Sequence, residues 1–132
     1  MSTQDHLTTT FLRSAETEAR YLEQRKRRVN DPEHNPPFSP TVNNAIREFD
    51  HWFIIENDFP YDAIATTHHL LFTKRKVAFE WDLLSSEERS ELEKLKKEFF
   101  NHEYDVFYEN LPKGQTLRSH FHLHLLILKR SH

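Results

Sequence analysis

The residues of this chain best suited to chemistry are three histidines close to its C-terminal end. His120, His122 and His124 alternate with Phe121 and Leu123 in the stretch RSHFHLHLLILKR. Successive side chains of a β-strand point to opposite faces, so the three imidazoles share one face and the apolar residues share the other. The apolar face can pack against a helix as core. The histidine face needs a separate explanation.

Two explanations for the histidine face do not involve catalysis. A polar, solvent-facing side of the sheet is the first, but strict alternation of three such rare residues is poorly explained by chance. A metal site is the second. With a rise of about 3.3 Å per residue, the Cα atoms of His120 and His124 are roughly 13 Å apart, which is unfavourable for one zinc ion with bonds of about 2 Å. A metal site would therefore use one pair of these histidines and a remote ligand such as His68 or His69.

Covalent catalysis by the middle histidine, His122, is the third explanation. A neutral imidazole is a good nucleophile near neutral pH, because its unperturbed pKa is about 6.5. It can attack phosphorus and form a phosphoramidate, which divides one displacement into two steps. The neighbouring histidines can then donate hydrogen bonds to phosphate oxygens, and a backbone carbonyl can fix the tautomer of the nucleophile.

Composition limits the classes of protein and of site that this chain can form. Its 132 residues fit one domain, and 11 Phe, 4 Tyr and 2 Trp supply bulky core material. The net charge of −3 argues against a general nucleic-acid coat. The absence of cysteine excludes disulfides and thiolate zinc sites. A single glycine, Gly114, excludes glycine-rich phosphate loops and dinucleotide fingerprints.

The cellular location is predicted from the lack of two signals. No apolar run approaches the roughly 20 residues that a membrane-spanning helix needs. The N-terminal residues MSTQDHLTTT lack the basic and then apolar pattern of a secretion signal. We therefore expect a cytoplasmic protein that does not contact a membrane.

Helical spacing of apolar residues predicts two helices that could cover the sheet. The first covers residues 8–28, and its buried face is expected to consist of Phe11, Leu12, Ala15, Ala19 and Leu22. The second covers residues 85–100 and can be capped by Ser85 or Ser86. Its buried face is expected to consist of Leu92, Leu95 and Phe99.

Runs rich in aromatic and β-branched residues predict the strands. The predicted strands cover residues 51–57, 67–73, 104–110 and 119–129. Residues 30–41 contain four prolines and predict a linker or a wrapped loop rather than a domain boundary, because the 29 residues before them cannot bury a core alone. The order of helices and strands favours a mainly antiparallel α+β domain.

The stretch HFHLHLL, residues 120–126, resembles the signature of the histidine triad (HIT) nucleotide-binding proteins, in which three histidines alternate with apolar residues. Further segments in the same order are similar to those of that family. They are ENDFPYD at 56–62, THHLLFTKR at 67–75, WDLLSSEERSEL at 81–92 and NLPKGQT at 110–116. The resemblance covers residues 51–129.

The resemblance implies a HIT-like α+β fold, with a five-stranded antiparallel sheet and two main helices. Residues 51–132 would form the HIT-like domain, and residues 1–50 would add an N-terminal helical extension and a proline-rich wrap to the same unit. Members of the family are commonly dimers, so a homodimer is expected.

The implied function is that of a nucleotide hydrolase or nucleotidyl transferase. It would act at the α-phosphorus of a nucleoside mono- or polyphosphate derivative, through a nucleotidyl-His122 intermediate. The resemblance requires no metal and no other cofactor. Two alternatives remain open, which are a nucleotide-binding or sensing protein without turnover and a histidine-metal protein.

Site residues follow from the resemblance position by position. His122 corresponds to the nucleophile, and His120 and His124 flank it, with His124 near the phosphate oxygens. His68 of the doublet corresponds to the family's strand histidine, and His69 is expected outside the site. Asn57 would contact the ribose, although its place before DFPY also suits a simple turn cap.

The remaining predicted site residues belong to the phosphate-binding segment. Gln115 and Thr116 would bind phosphate, and Asn110 would support them. Gln115 precedes His120 by five positions, where the family commonly has four, so we expect a bulge at the start of the strand. Ser119 or Arg118 could then supply a phosphate contact.

Overall fold

The computed structural model describes residues 12–30, 41–111 and 120–130, with only the backbone described for 28–30. These residues form an α+β fold with a five-stranded antiparallel sheet and two main helices. The predicted α+β class and the predicted antiparallel sheet of five strands are confirmed. The strands are β1 (Arg47–Glu48), β2 (Trp52–Glu56), β3 (Ala65–Thr73), β4 (Val106–Tyr108) and β5 (His122–Leu128).

The sheet has the order β1-β2-β3-β5-β4, so β3 and β5 lie at its centre. The pattern of aromatic and β-branched residues had predicted every strand except β1. That strand has only two residues, Arg47 and Glu48, and both are polar and exposed. A strand so short has no period of its own, and its pairing with β2 depends on the longer strand beside it.

The second main helix, α2, covers Ser86–Leu95 and begins with a capping box. Ser85 Oγ accepts a hydrogen bond from the amide of Glu88 at 3.1 Å. The Glu88 carboxylate accepts one from the amide of Ser85 at 2.7 Å. These two bonds satisfy amides that the helix itself cannot pair, so the predicted cap is confirmed at Ser85.

The far end of this helix departs from the predicted buried face. Residues Lys96–Phe100 form a π-helical turn, followed by the short helix α3 (Asn101–Glu103). A π-turn accommodates one residue more than an α-turn and so rotates the positions after it around the axis. Phe100 is therefore the buried residue, and Phe99, which was predicted, is only partly buried.

The first helix, α1, covers Ala15–Asn30, and its predicted buried face is wrong. Ala15, Ala19 and Leu22 are exposed, and Leu12 is half-buried. The buried residues are instead polar or amphipathic and consist of Thr17, Glu18 and Tyr21, with Arg13 just before the helix. This helix docks through hydrogen bonds and an ion pair, which a count of apolar spacing cannot detect. Phe11 lies outside the described residues.

The two faces of the sheet have different roles. One face packs against α2 as the main core, in which Trp52, Leu71, Leu123 and Leu125 meet Leu92, Leu95 and Phe100. The opposite face has a smaller apolar cluster, formed by Phe53, Ile55, Leu70 and Phe72. The alternation in β5 directs the histidines to this second face, where the rings of His120 and His122 contact Phe72.

The strand register determines which side chains meet the histidines. Leu70 of β3 pairs with His124, and His68 pairs with Leu126. His68 and His124 are therefore diagonal neighbours, a spacing that long or aromatic side chains can bridge. On the other side of β5, Tyr108 pairs with His124. A shift of register between Ala65 and Thr67 marks an irregularity at the start of β3.

Residues before the sheet contact the turn that leads into β3. The amide of Ala63 donates a hydrogen bond to the carbonyl of Leu12 at 3.0 Å. The predicted wrap lies largely at positions 31–40, which are outside the described residues, and the domain division at residue 50 stays a prediction. Neither of the two main helices, nor any other helix in the described part of the chain, has the length and apolar character to cross a membrane.

Candidate functional site

The backbone next to His122 determines which of its ring nitrogens carries the proton. Its Nδ1 atom lies 3.0 Å from the carbonyl oxygen of His120. A carbonyl can only accept, so Nδ1 carries the hydrogen and Nε2 of the neutral ring has the free lone pair. The tautomer follows from the partner of the other nitrogen. His122 is thus prepared to act as a nucleophile or a base through Nε2.

The surroundings of His122 keep it uncharged. Its ring stacks on Phe72 with centroids 5.2 Å apart, and Phe79 approaches edge-on at 6.1 Å. Burial lowers the pKa of His122 below its usual value, the bond to the His120 carbonyl opposes this, and the charge of His120 adds to the lowering. His122 is 8% exposed, the largest exposed fraction among the four histidines of this face.

His120 is anchored to the end of the neighbouring strand. Its Nε2 atom donates a hydrogen bond to the carbonyl of Thr73 at 2.7 Å. Burial lowers the pKa of His120, although the Thr73 carbonyl partly opposes this effect and the charge of Lys76 adds to it. The Nε2 hydrogen of His120 is therefore engaged, and its backbone carbonyl is the one that orients His122.

A directed chain of hydrogen bonds connects His68 and His124. The amide of Tyr61 donates to His68 Nδ1 at 2.9 Å, so the hydrogen of His68 is on Nε2. His68 Nε2 lies 2.8 Å from His124 Nδ1 and donates to it. The hydrogen of His124 is consequently on its Nε2. The two tautomers are opposite to that of His122, because a backbone amide rather than a carbonyl starts the chain.

Asn110 receives the end of this chain. Its Nδ2 atom lies 3.2 Å from His124 Nε2 and 3.3 Å from the hydroxyl of Tyr61. Because His124 Nε2 carries a hydrogen, a half-turn of the amide, which exchanges oxygen and nitrogen at this position, lets Asn110 accept from both neighbours. The chain then runs in one direction from the Tyr61 amide to the Asn110 oxygen.

Burial also keeps the His68–His124 pair uncharged. It lowers the pKa of His68 to about 3, and the charges of Arg13 and His69 contribute in the same direction. The pKa of His124 is lowered well below its usual value by burial, and then by His68, His122 and Arg13. Both rings are therefore neutral, and each keeps its single hydrogen on Nε2.

Two tyrosines that the sequence reasoning missed surround His124. The ring of Tyr108 stacks on it at 4.7 Å and 10°, and the ring of Tyr61 lies nearly parallel to it at 5.7 Å. Burial raises the pKa of Tyr108, and Tyr61 contributes further, so Tyr108 remains a phenol. Alternation along β4 could have placed Tyr108 on the histidine face. Tyr61 has no comparable signal, because a turn carries it.

Asn57 has a structural role in the turn before β3. Its Oδ1 atom accepts a hydrogen bond from the amide of Phe59 at 2.9 Å, as in a turn closed by an asparagine side chain. Its Nδ2 atom lies 3.4 Å from each ring nitrogen of His68. Asn57 therefore both caps the turn and borders His68, while its contact with a ribose stays a prediction.

His69 lies away from this cluster, because neighbouring residues of a strand point to opposite faces of the sheet. Its Nδ1 atom lies 2.7 Å from the hydroxyl of Tyr104, and its Nε2 atom lies 3.6 Å from Glu56. Both partners are on the face of the sheet opposite to His68. The doublet thus contributes one residue, His68, to the candidate site.

The phosphate-binding segment of the predicted site is outside the described residues. This applies to Gln115, Thr116 and Ser119, and to the predicted bulge before the strand. Asn110 is described, and it contacts His124 and Tyr61. Within residues 12–30, 41–111 and 120–130, no three or more His, Cys, Asp or Glu side chains are grouped so that they could bind a metal ion.

The fold and the site define an α+β protein whose central antiparallel strands carry four buried histidines on one face of the sheet. The sequence profile described as "Protein of unknown function (DUF3605)" matches residues 4–128, so the chain belongs to the DUF3605 family. Among solved structures, the chain is similar to a "Hit Like Protein" with 15% identity and a TM-score of 0.49, over 75% of this chain and 96% of that one. No curated protein matches the chain.

Proposed function

We propose that this protein is a nucleotide hydrolase or nucleotidyl transferase of the histidine triad type, and that it forms a covalent nucleotidyl-His122 intermediate. The observation that carries the proposal is the 3.0 Å hydrogen bond from His122 Nδ1 to the carbonyl of His120. It leaves the Nε2 lone pair of a neutral, buried imidazole available for attack. The motif order that resembles the histidine triad family supports the choice of a nucleotide as substrate.

In the first step, the lone pair of His122 Nε2 forms a bond to the α-phosphorus of a nucleoside phosphate derivative. The bond from phosphorus to the leaving group breaks, and the leaving group takes the bonding electrons and later a proton. The imidazole then has substituents on both nitrogens and carries positive charge. The carbonyl of His120 stabilises that charge, because the Nδ1 hydrogen already points to it.

In the second step, water attacks the same phosphorus. The P–N bond breaks, its electrons return to His122 Nε2, and a nucleoside monophosphate leaves together with one proton. If an alcohol or phosphate attacks in place of water, the same step is a nucleotidyl transfer. His122 is the nucleophile of the first step and the leaving group of the second, and neither step needs a change in its tautomer.

The other polar residues have roles that follow from their hydrogen bonds. His124 would donate its Nε2 hydrogen to a phosphate oxygen in exchange for Asn110, which lies 3.2 Å from that nitrogen. His68 keeps this hydrogen in place, because it donates to the opposite nitrogen of His124 at 2.8 Å. Gln115, Thr116 and Ser119 remain the proposed phosphate ligands, and Asn57 the proposed ribose contact.

The proposal also includes the fold of the protein, its assembly and its location. The five-stranded antiparallel sheet is compatible with a HIT-like fold, in which residues 51–132 form the HIT-like domain. A cytoplasmic homodimer whose partner is a nucleotide, with no metal or other cofactor, stays the expected form of the protein.

The test is a search for the covalent adduct across a substrate panel. The purified protein is mixed with nucleoside phosphoramidates, aminoacyl adenylates, dinucleoside polyphosphates and nucleotide sugars, and its intact mass is recorded after a neutral quench, since P–N bonds break in acid. We expect one nucleotidyl group per chain and turnover of at least one class. The adduct should be absent in His122→Ala and present in His69→Ala, the matched control from the opposite face.

Four results would change the conclusion. Absence of both labelling and turnover for wild type across the panel would refute the enzyme. Tight binding of a nucleotide without labelling would support a nucleotide-sensing protein instead. A stoichiometric metal in elemental analysis would support the histidine-metal alternative, and normal turnover by His122→Ala would refute the assigned nucleophile.

A further inference from the structure

Residues just before α1 and in its first turn bind the turn that carries Asn57 and Tyr61. Asp62 accepts three hydrogen bonds from this segment, from the amide and the hydroxyl of Ser14 at 2.7 and 3.0 Å and from the hydroxyl of Thr17 at 2.6 Å. Ser14 also accepts a hydrogen bond from the amide of Thr17 at 3.2 Å. The start of the helix is thereby fastened to the turn by side chains and not by apolar packing.

Arg13 is buried at the centre of this contact. Its Nε atom donates a hydrogen bond to the carbonyl of Phe59 at 2.8 Å, and its Nη1 atom forms an ion pair with Glu18 at 3.2 Å. The side chains of Arg13 and Glu18 are only 8% and 5% exposed. The guanidinium also lies over the rings of Tyr21 and Tyr61, with distances to the ring centroids of 4.1 and 5.1 Å.

The contacts of Arg13 continue directly into the histidine pair. Phe59, whose carbonyl binds Arg13, donates its amide to Asn57 Oδ1 at 2.9 Å. Tyr61, whose ring lies under the guanidinium, donates its amide to His68 Nδ1 at 2.9 Å. The hydrogen bond from Tyr61 is the one that sets the tautomers of His68 and His124. A displacement of this turn would release that hydrogen bond.

We propose that Arg13 is a positioning residue of the candidate site, which fixes the orientation and the tautomers of the His68–His124 pair through the turn from Asn57 to Tyr61. According to this proposal, the N-terminal segment takes part in organising the site. The assignment of a role in nucleotide chemistry rests on the proposed function. The control of the histidine pair rests on the hydrogen bonds alone.

Several charged or titratable groups face this pair and are relevant to any spectroscopic measurement of it. From the N-terminal segment they are Arg13 and its partner Glu18, and from the strands and the turn they are His122, Tyr61 and Tyr108, while His69 acts on His68 by its charge from the opposite face of the sheet. Arg13 is the cation among them, and its charge favours the neutral forms of both histidines. Its removal should therefore affect both the geometry and the protonation of the pair.

The experiment replaces Arg13 with methionine, which has a similar length and no charge. Imidazole ¹⁵N NMR signals at neutral pH distinguish protonated from unprotonated ring nitrogens, and the rate of nucleotidyl-adduct formation is measured beside them. We expect altered signals for His68 and His124, unaltered signals for His120, and a roughly tenfold to 100-fold slower adduct formation, as for a site displaced by about 1 Å. A loss of packing alone would not select these two histidines.

The matched control is Arg27→Met, because Arg27 also pairs with a glutamate of the same helix, Glu23 at 3.4 Å, but on the exposed side. It should leave the signals and the rate unchanged. A folded Arg13→Met with wild-type signals for His68 and His124 would overturn the proposal. If that variant does not fold, Arg13→Lys decides, since it keeps the charge but cannot bind both Phe59 and Glu18. Changed signals then support the proposal and unchanged signals overturn it.

The two proposals fail in different ways. If wild type forms no adduct with any nucleotide, the proposed function fails, while the imidazole signals of the Arg13 variants still decide whether this residue positions the pair. If wild type reacts but Arg13→Met reacts equally fast with unaltered signals, the proposed function stands and the positioning role fails.

Discussion

Mild acid should destabilise this protein more strongly than its carboxylates can explain, and His68 should be a main cause. In the folded state, burial lowers the pKa of His68 to about 3, against an ordinary value of 6.5. The unfolded chain therefore binds a proton below about pH 6.5 that the folded chain refuses. The stability that His68 contributes is fully present above that pH and is lost as the pH falls towards 3.

The size of this effect follows from the same two values. The full interval between 6.5 and about 3 corresponds to about 5 kcal/mol at about 1.4 kcal/mol per pH unit, but only part of it is reached in mild acid. Between about pH 7.5 and pH 5, the free energy of unfolding should fall by about 2 kcal/mol from His68 alone. Such a loss is large, because small domains are stable by only about 5–15 kcal/mol.

The other titrating groups affect the stability in two different pH ranges. Burial also lowers the pKa values of His69, His120, His122 and His124. The stability that these residues contribute to the fold is therefore lost in the same pH range as that of His68. Burial acts to raise the pKa values of Asp62, Glu88 and Asp105, but hydrogen bonds outweigh burial and lower these values from the ordinary 3.8, 4.5 and 3.8. The stability of these carboxylates is present above their ordinary values, so it is lost mainly below about pH 4.5.

The assay is urea unfolding of wild type, His68→Gln and His102→Gln at several pH values from 7.5 to 5. His102 is an exposed histidine and serves as the matched control. We expect His68→Gln to be less stable near pH 7.5 but to have a pH dependence flatter by about 2 kcal/mol, while His102→Gln follows wild type. If His68→Gln loses stability with pH as steeply as wild type, then His68 is not the neutral buried group inferred from its hydrogen bonds.

Two further changes test the elements that support the site. Glu88→Ala removes the acceptor of the capping box and the partner of a half-exposed arginine, so the free energy of unfolding should fall by about 1–2 kcal/mol in thermal or urea unfolding. Glu87→Ala, in the same helical turn but exposed, should change it by less than about 0.5 kcal/mol. Leu123→Ala empties a position in the main core and should cost about 2–5 kcal/mol, whereas Leu83→Ala, at a position 45% exposed, should cost far less. Equal effects within either pair would contradict the assigned burial.

Local patterns predicted the elements wherever one physical effect dominated. Alternation in residues 119–129 predicted the histidines on one face and Phe121, Leu123 and Leu125 on the other, because a single strand determines both. The capping box at Ser85 is similarly contained within four residues. The buried face of α1 was predicted wrongly, since the helix docks through the polar side chains of Arg13, Ser14 and Thr17.

The same distinction, between features set by one local pattern and features set by the folded chain, applies to the candidate site. The row of three histidines follows from strand periodicity, as does the expectation that only one of His68 and His69 joins it, while the choice of His68 came from the resemblance to the histidine triad family. The partners of His124 do not, because Tyr61 and Asn110 come from a turn and a strand end that meet only in the folded chain. The tautomers need hydrogen-bond partners at known distances. Sequence thus indicates which nitrogens are present, and the fold determines which of them can react.

Because of the alternation in β5, the correct pairing of this strand is needed for both the core and the site. The same strand, His122–Leu128, supplies Leu123 and Leu125 to the main core on one side and His122 and His124 to the opposite face. A slip of one residue in its pairing would exchange the two faces, so that Leu123 and Leu125 would leave the main core and His122 and His124 would enter it, and the misregistered chain would lose its core together with its site. Molecules with an intact core should therefore also have a correctly aligned row of histidines. Misfolded molecules that are stable but inactive should not accumulate.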